Sequence, residues 1–452
     1  SYSIALNYCE LATIYPETGG AMTYVREAWG KGLLSFLVGS MDCISSTFYT
    51  ALSAVGFAYS LSVFIPSLPI VPVAILVIII FVILNIAGVS TVGNVQIVMG
   101  AFLILAFAIF IIYGFLSPSG FDPKVFIPDG RFFINDGLFK NISAFFRTIA
   151  LIYAAYVGFE VIADDAEEIR NPNKNIPQAI LISLTIITVI YTLTVMVTLG
   201  TIPWNEAIGS ETALSDAIER FLPGIGVVIV GFAGMIGALT TVNSSMLSAT
   251  RETFTLSRDG AWPAFLSRLN RVRVPAMAIL LIGIISILIS INGLVDFLSY
   301  ITSAGYLFVL FFSNFAMIVL RKKYPAINRP FKAPFFPLTP ILASLTCLIV
   351  IFFSNPYPLL FLAGILGVLT IYYFSRILFS TWQESHKRKM IPGQSRIIIP
   401  VINYHLSNSL IRFGSILAQA DQDLNLCLTS VVTDTLINQN GNRDEYLKKV
   451  DG

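Results

Sequence analysis

The 452-residue chain is 56% hydrophobic and only 12% charged, with a mean hydropathy of +0.79, a balance outside the range of water-soluble globular domains. Its net charge of +2 carries no nucleic-acid signal, and Cys9, Cys43, Cys347 and Cys427 lack the paired spacing of a disulfide framework. Both histidines, His386 and His405, lie beyond the last apolar run, and no G-x-x-x-x-G-K-[ST] loop is present, so no enzyme activity, cofactor, metal or nucleic-acid partner is expected.

Residues 1–15 (SYSIALNYCELATIY) are apolar but too short to span a bilayer, and read as the second half of a helix. In 17–32 (ETGGAMTYVREAWGKG), Gly19-Gly20 breaks that helix. Met22, Tyr24, Val25 and Trp29 then fit an interfacial helix beside Arg26 and Glu27. Apolar runs follow at 33–61, 69–88, 95–116, 142–163, 177–200, 224–248, 275–291, 296–320, 337–355 and 358–379. Each is near the roughly 20 residues that cross a hydrocarbon layer of about 30 Å. The expected fold is an all-α polytopic membrane protein with membrane lipid around it.

The connectors differ in character. Residues 117–141 and 201–223 are long loops on one face, read as lids or plain connectors. Segment 164–177 (DDAEEIRNPNKNIP) should stop at Asn171-Pro172 and restart with Pro177 at a helix N-terminus. Segment 249–275 should be a loop with a short helix near 259–268. Hydropathy falls near Ile391, which divides a membrane domain, 1–390, from a tail, 391–452. The tail reads as a strand at 396–402, a helix at 406–420 and a strand-like run at 424–433, a short α/β-like pattern.

Basic residues orient the chain. One set of alternate loops carries Arg26, Lys31, Arg170, Lys174, Arg251, Arg258, Arg268, Arg271, Arg273, Arg321, Lys322, Lys323, Arg329 and Lys332. The opposite loops hold only Lys124, Arg131, Lys140 and Arg220. The positive-inside rule makes the first set cytoplasmic, and the tail with it.

The stretch Tyr153-Ala-Ala-Tyr-Val-Gly-Phe-Glu160 interrupts an apolar run with Gly158 and Glu160, and Asp164, Asp165, Glu167 and Glu168 follow. Irregular backbone at membrane depth survives only inside protein or along a wet cavity, and broken helices are where secondary transporters hold solutes. Gly158 reads either as the residue that permits the turn or as a small residue for helix packing. Glu160 reads either as a proton-sensitive gate or as an acid in a wet vestibule.

Four segments carry a family resemblance. Glu10-Leu-Ala-Thr13 with Pro16-Glu-Thr-Gly-Gly20 and Tyr24-Val-Arg-Glu-Ala-Trp-Gly30 is the first. Tyr156-Val-Gly-Phe-Glu160 is the second. Glu167-Glu168 with Asn171-Pro172 and Ile176-Pro177 is the third, and Ser248-Ala-Thr-Arg251 with Arg258-Asp-Gly260 the fourth. In order and spacing they make residues 1–380 resemble the amino acid–polyamine–organocation (APC) transporters. That resemblance implies the LeuT-like inverted-repeat fold, incomplete at the N-terminus here. Residues 1–15 would complete the family's second helix, and its first helix, with half of the site, would be missing.

By the same resemblance, the carbonyls of Ala154, Ala155 and Val157 would take a substrate ammonium, while Tyr156, Gly158 and Phe159 would shape the pocket. Asp42 matches a position usually acidic in the family, and is read as an ion-pair partner of Arg251 ahead of a proton carrier. Gly100 stands where some proton-coupled relatives have a lysine. Thr240, Thr241, Ser244 and Ser245 offer hydroxyls for a cation site, or for bonds within and between helices. The start of the tail, 396–433, resembles a universal-stress-protein-like domain.

The implied activity is secondary active or exchange transport of an amino acid across the plasma membrane. The alternatives are an inorganic ion cotransporter of the cation–chloride type and a solute-sensing membrane receptor. The substrate reading leans to neutral, apolar amino acids; the coupling ion and oligomeric state are open.

Overall fold

Apolar runs become helices because a peptide group at membrane depth has only other protein groups to bond. A computed structural model of the chain describes residues 1–17, 19–88, 93–128, 137–164, 166, 169–210, 212–291, 293–389, 395–401 and 424–430. The helices begin with α1 (Tyr2–Ile14), α2 (Gly20–Trp29), α3 (Leu33–Ser62), α4 (Ile70–Ile86) and α5 (Gly93–Leu116). Then come α6 (Pro123–Phe126), α7 (Leu138–Ile152), α8 (Val161–Asp164), α9 (Pro172–Thr201), α10 (Trp204–Gly209) and α11 (Ala213–Phe221). The series closes with α12 (Ile225–Arg258), α13 (Ala276–Ser290), α14 (Val295–Lys323), α15 (Leu338–Phe352) and α16 (Pro356–Lys389).

Among the described residues, six helical stretches are long and apolar enough to span a membrane: Gln96–Leu116, Leu138–Ala163, Pro172–Thr201, Ile225–Arg258, Val295–Lys323 and Pro356–Phe379. Helices α4, α13 and α15 are apolar but shorter. The chain is an all-α polytopic membrane protein. Helix α3 has 30 residues and buries Ser40, Ser45, Ser46, Thr47 and Thr50. Three of those hydroxyls donate along their own helix, Ser45 to Met41 O at 2.7 Å, Thr47 to Cys43 O at 2.7 Å and Thr50 to Ser46 O at 2.9 Å, while Ser40 accepts from Trp262 and Ser46 meets the Tyr306 hydroxyl of α14. Helix α3 can be polar because protein covers it, with α12, α14, α4, α2 and α13 packed along it.

The chain divides into two compact units, Ser1–Tyr373 and Phe374–Gly452. In the first, α14 approaches α3 so closely that a Cβ on Gly305 would overlap Ser45 Oγ. The basic end of that unit is tied by Glu10 of α1, whose side chain is 1% exposed. Arg321 of α14 grips both Glu10 oxygens, with Nε at 2.7 Å from Oε1 and Nη2 against Oε2. Arg329 Nε lies 3.3 Å from Oε1, the Ala333 N–H donates to Oε2 at 2.7 Å, and the Arg321 guanidinium sits 4.3 Å from the Phe336 ring centroid. In the second unit, β1 (Ser395–Val401) and β2 (Leu424–Ser430) pair in parallel, Ser395 opposite Leu424 and Val401 opposite Ser430. The helix expected at 406–420 lies outside the described residues.

Three expectations need correction. Helix α2 is not interfacial: Tyr24 and Val25 are fully buried and Met22 nearly so, under α3 and α14. Of the four residues expected at an interface only Trp29 is exposed, stacked on Phe315. Helix α12 does not end near 248 but continues to Arg258. Residues 249–258 look like loop by hydropathy, yet Thr250, Thr253 and Thr255 are buried, and Thr253 Oγ1 lies 3.1 Å from Cys43 Sγ of α3. Helix α9 starts at Pro172 rather than Pro177, because Asn171 at φ 50° turns the chain and Pro172 needs no N–H partner in the first turn. Pro177 sits inside the helix.

Candidate functional site around the interrupted seventh helix

Helical bonding stops at Ile152. Tyr153–Tyr156 form a 3-10 turn, Val157 is extended at ψ 145°, Gly158 has φ 126°, and α-helix resumes at Val161. Gly158 is required for its backbone angle, since a Cβ there would meet nothing within 4 Å. That open space disfavours the close-packing reading.

The freed peptide groups are partly engaged by side chains. The Gly158 N–H donates to both carboxylate oxygens of Glu160, at 3.0 Å each. The Ala154 N–H donates to Ser303 Oγ of α14 at 2.9 Å, and the Ser299 hydroxyl donates to Leu151 O at 2.6 Å. The Tyr191 hydroxyl of α9 donates to Ala155 O at 3.1 Å, and the Val157 N–H to Ala154 O at 3.3 Å. Among the described residues no hydrogen bond reaches Val157 O. Tyr156 meets Tyr191 edge-on at 5.5 Å, and Phe159 meets Tyr8 of α1 edge-on at 5.9 Å. Phe159, Ala154 and Glu160 are buried, whereas Ala155 is exposed. Sequence reasoning missed Ser299, Ser303 and Tyr191; their only signal was a polar atom within an apolar run.

The sequence profile of the amino acid permease family matches residues 1–378. The chain belongs to that family. Among its relatives, the branched-chain amino acid permease BcaP of Bacillus subtilis is 27% identical over 77% of each chain. The human cystine/glutamate transporter is 28% identical over 78% of this chain and 71% of its own. The lysine-specific permease LysP of Lactococcus lactis is 24% identical over 86% of this chain and 82% of its own. The permease is therefore a transporter of the APC superfamily rather than an enzyme, and its family implies an amino acid substrate.

The permease also has a cavity of about 670 Å³ between α3, α5, α9 and α12, with residues 212–215 in its lining. Its walls include Tyr59, Phe107, Phe110, Tyr191, Thr240 and Thr241, and among the described residues no charged side chain lines it. Residues 154–159 do not line it; Tyr191, in its wall, donates to Ala155 O of the broken segment. Thr240 and Thr241 both donate to Gly237 O at 2.8 Å. Ser244 donates to Thr241 O at 3.2 Å, and Ser245 to Thr241 O at 2.7 Å with Thr50 Oγ1 at 2.8 Å.

The expected Asp42–Arg251 ion pair is not formed. Asp42 is 5% exposed. Because α12 remains helical there, Glu252 is the residue that faces α3, 3.5 Å from Ser46 Oγ, and Arg251 is turned about 100° from it.

Proposed function

We propose that the full-length protein carries an amino acid across the plasma membrane, by secondary active transport or exchange, with alternating access around the segment 153–160. The observation that carries this reading is the pair of free turns at Val157 and Gly158 inside an apolar span. Peptide carbonyls outside a helical ladder can hold an ammonium without placing a full opposite charge in the membrane. Val157 O and Ala155 O are those acceptors, with Ala154 O as a third through its remaining lone pair. Gly158 allows the approach, and Tyr156 and Phe159 set the walls. Glu160 fixes the turn by accepting the Gly158 N–H, and Asp42 of α3 is a second buried acid. The distribution of basic loop residues supports a cytoplasmic tail under the positive-inside rule.

The substrate we favour is a neutral, apolar amino acid. The cavity beside Tyr191 has no charged lining among the described residues, and two relatives, from Bacillus subtilis and Lactococcus lactis, are named branched-chain amino acid permeases. Uptake of radiolabelled amino acids into proteoliposomes tests the proposal. Saturable uptake of leucine or valine, competed by the unlabelled compound, is the expected result. Flux of chloride or potassium with no amino acid flux would overturn it.

A further inference from the structure

A helix that stops inside a membrane needs something to stop it, and α14 supplies two hydroxyls at that point. In a continuous α-helix the Leu151 carbonyl would accept from residue 155, and the Ala154 N–H would donate to residue 150. Each has a partner on α14 instead, Ser299 for Leu151 O at 2.6 Å and Ser303 for the Ala154 N–H at 2.9 Å. The four-residue spacing puts both serines on one face of α14.

Serines on membrane helices commonly donate back to their own helix. Ser313 of α14 does so, bonding Val309 O at 2.9 Å. Ser299 and Ser303 turn to the broken segment. They are 9% and 1% exposed, so water is a poor competitor for either bond. The helix is also closely packed there, since Gly305, two residues beyond Ser303, lets α14 sit directly on Ser45 of α3.

We propose that α14 sets where the helix breaks, and that Ser299 and Ser303 are positioning residues for transport. They hold the last turn of α7, so that helical bonding ends at Ile152 and the carbonyls of Ala155 and Val157 stay outside the ladder. This rests on the reading of that segment as the amino acid site. Neither serine touches substrate in this scheme.

The test uses the full-length protein in proteoliposomes and the matched pair Ser303→Thr and Ser303→Val, equal in bulk but differing by one hydroxyl. A Ser299→Ala variant accompanies them. Loss of one buried bond at the break should raise KM about ten-fold for Ser303→Val and Ser299→Ala, while Ser303→Thr stays near wild type. Hydrogen exchange over residues 151–157 should be about ten-fold faster in Ser303→Val than in Ser303→Thr. Equal KM and equal exchange for the matched pair would overturn the proposal. If wild-type protein moves no amino acid, the transport reading fails by itself, and the exchange comparison still decides whether the serines hold the break.

Discussion

Gly158 is the residue on which the turn depends, and the structure separates two reasons for a glycine there. Its φ of 126° lies where L-residues are strained, while the space beside it is open. Strain of this kind costs about 1–3 kcal/mol. Gly158→Ala should therefore already weaken amino acid binding about ten-fold, with Gly158→Leu little worse, as read by scintillation proximity binding. Wild-type affinity in the alanine variant together with loss only in the leucine variant would mean that packing matters after all. Glu160 belongs to the same turn, because its carboxylate takes the Gly158 N–H. Glu160→Gln keeps an acceptor oxygen and should retain most binding, whereas Glu160→Ala should lose about ten-fold, since a buried N–H is left without its partner. Equal binding by the glutamine and alanine variants would show that the acceptor is dispensable.

Among whole elements, α1, α14 and the segment before α15 behave as one piece because Glu10 binds them together. Two guanidinium groups and one peptide N–H converge on a carboxylate that is 1% exposed. Removing one partner of such a buried group costs about 3–5 kcal/mol, because the remaining charges stay buried without compensation. Glu10→Ala should lower the melting temperature in detergent far more than Lys332→Ala, which changes an exposed charge on the same segment. Equal melting shifts would show that the convergence contributes nothing. Elements were legible in the sequence where hydropathy and outward exposure coincide, as in α5 and α9. They were not legible where protein substitutes for lipid. Helix α2 looked interfacial because Arg26 and Glu27 flank its aromatics, yet Tyr24 is fully buried. The last turns of α12 looked like loop because Thr, Arg and Glu dominate them, yet their buried side packs on α3. The segment 153–160 showed itself through Gly158 and Glu160, but its serine partners lie some 150 residues away on another helix, and no local pattern announces them.

For the molecule as a whole, the architecture followed from hydropathy and from the order of four short motifs, while the energetics of a transport cycle depend on what couples to the solute. The hydroxyls of α12 were the sequence's only sodium candidate, and their geometry bears on that coupling. Thr240 and Thr241 share the single carbonyl of Gly237, and Ser244 and Ser245 share that of Thr241. Each of those carbonyls already belongs to a helical ladder, so the carbonyl oxygens that a hard cation needs are taken up locally. The cluster is also divided in space. Thr240 and Thr241 line the cavity, Ser244 and Ser245 do not, and Ser245 is turned to Thr50 of α3. Hydroxyls arranged in this way satisfy a helix inside protein better than they surround an ion. Replacing external sodium with choline should therefore leave the initial rate of amino acid uptake in proteoliposomes within about two-fold, equivalent to less than about 0.5 kcal/mol of coupling. A fall of about ten-fold on sodium removal, restored by adding sodium back and lost again in Thr241→Ala, would require these hydroxyls to leave their own helix and gather around a cation.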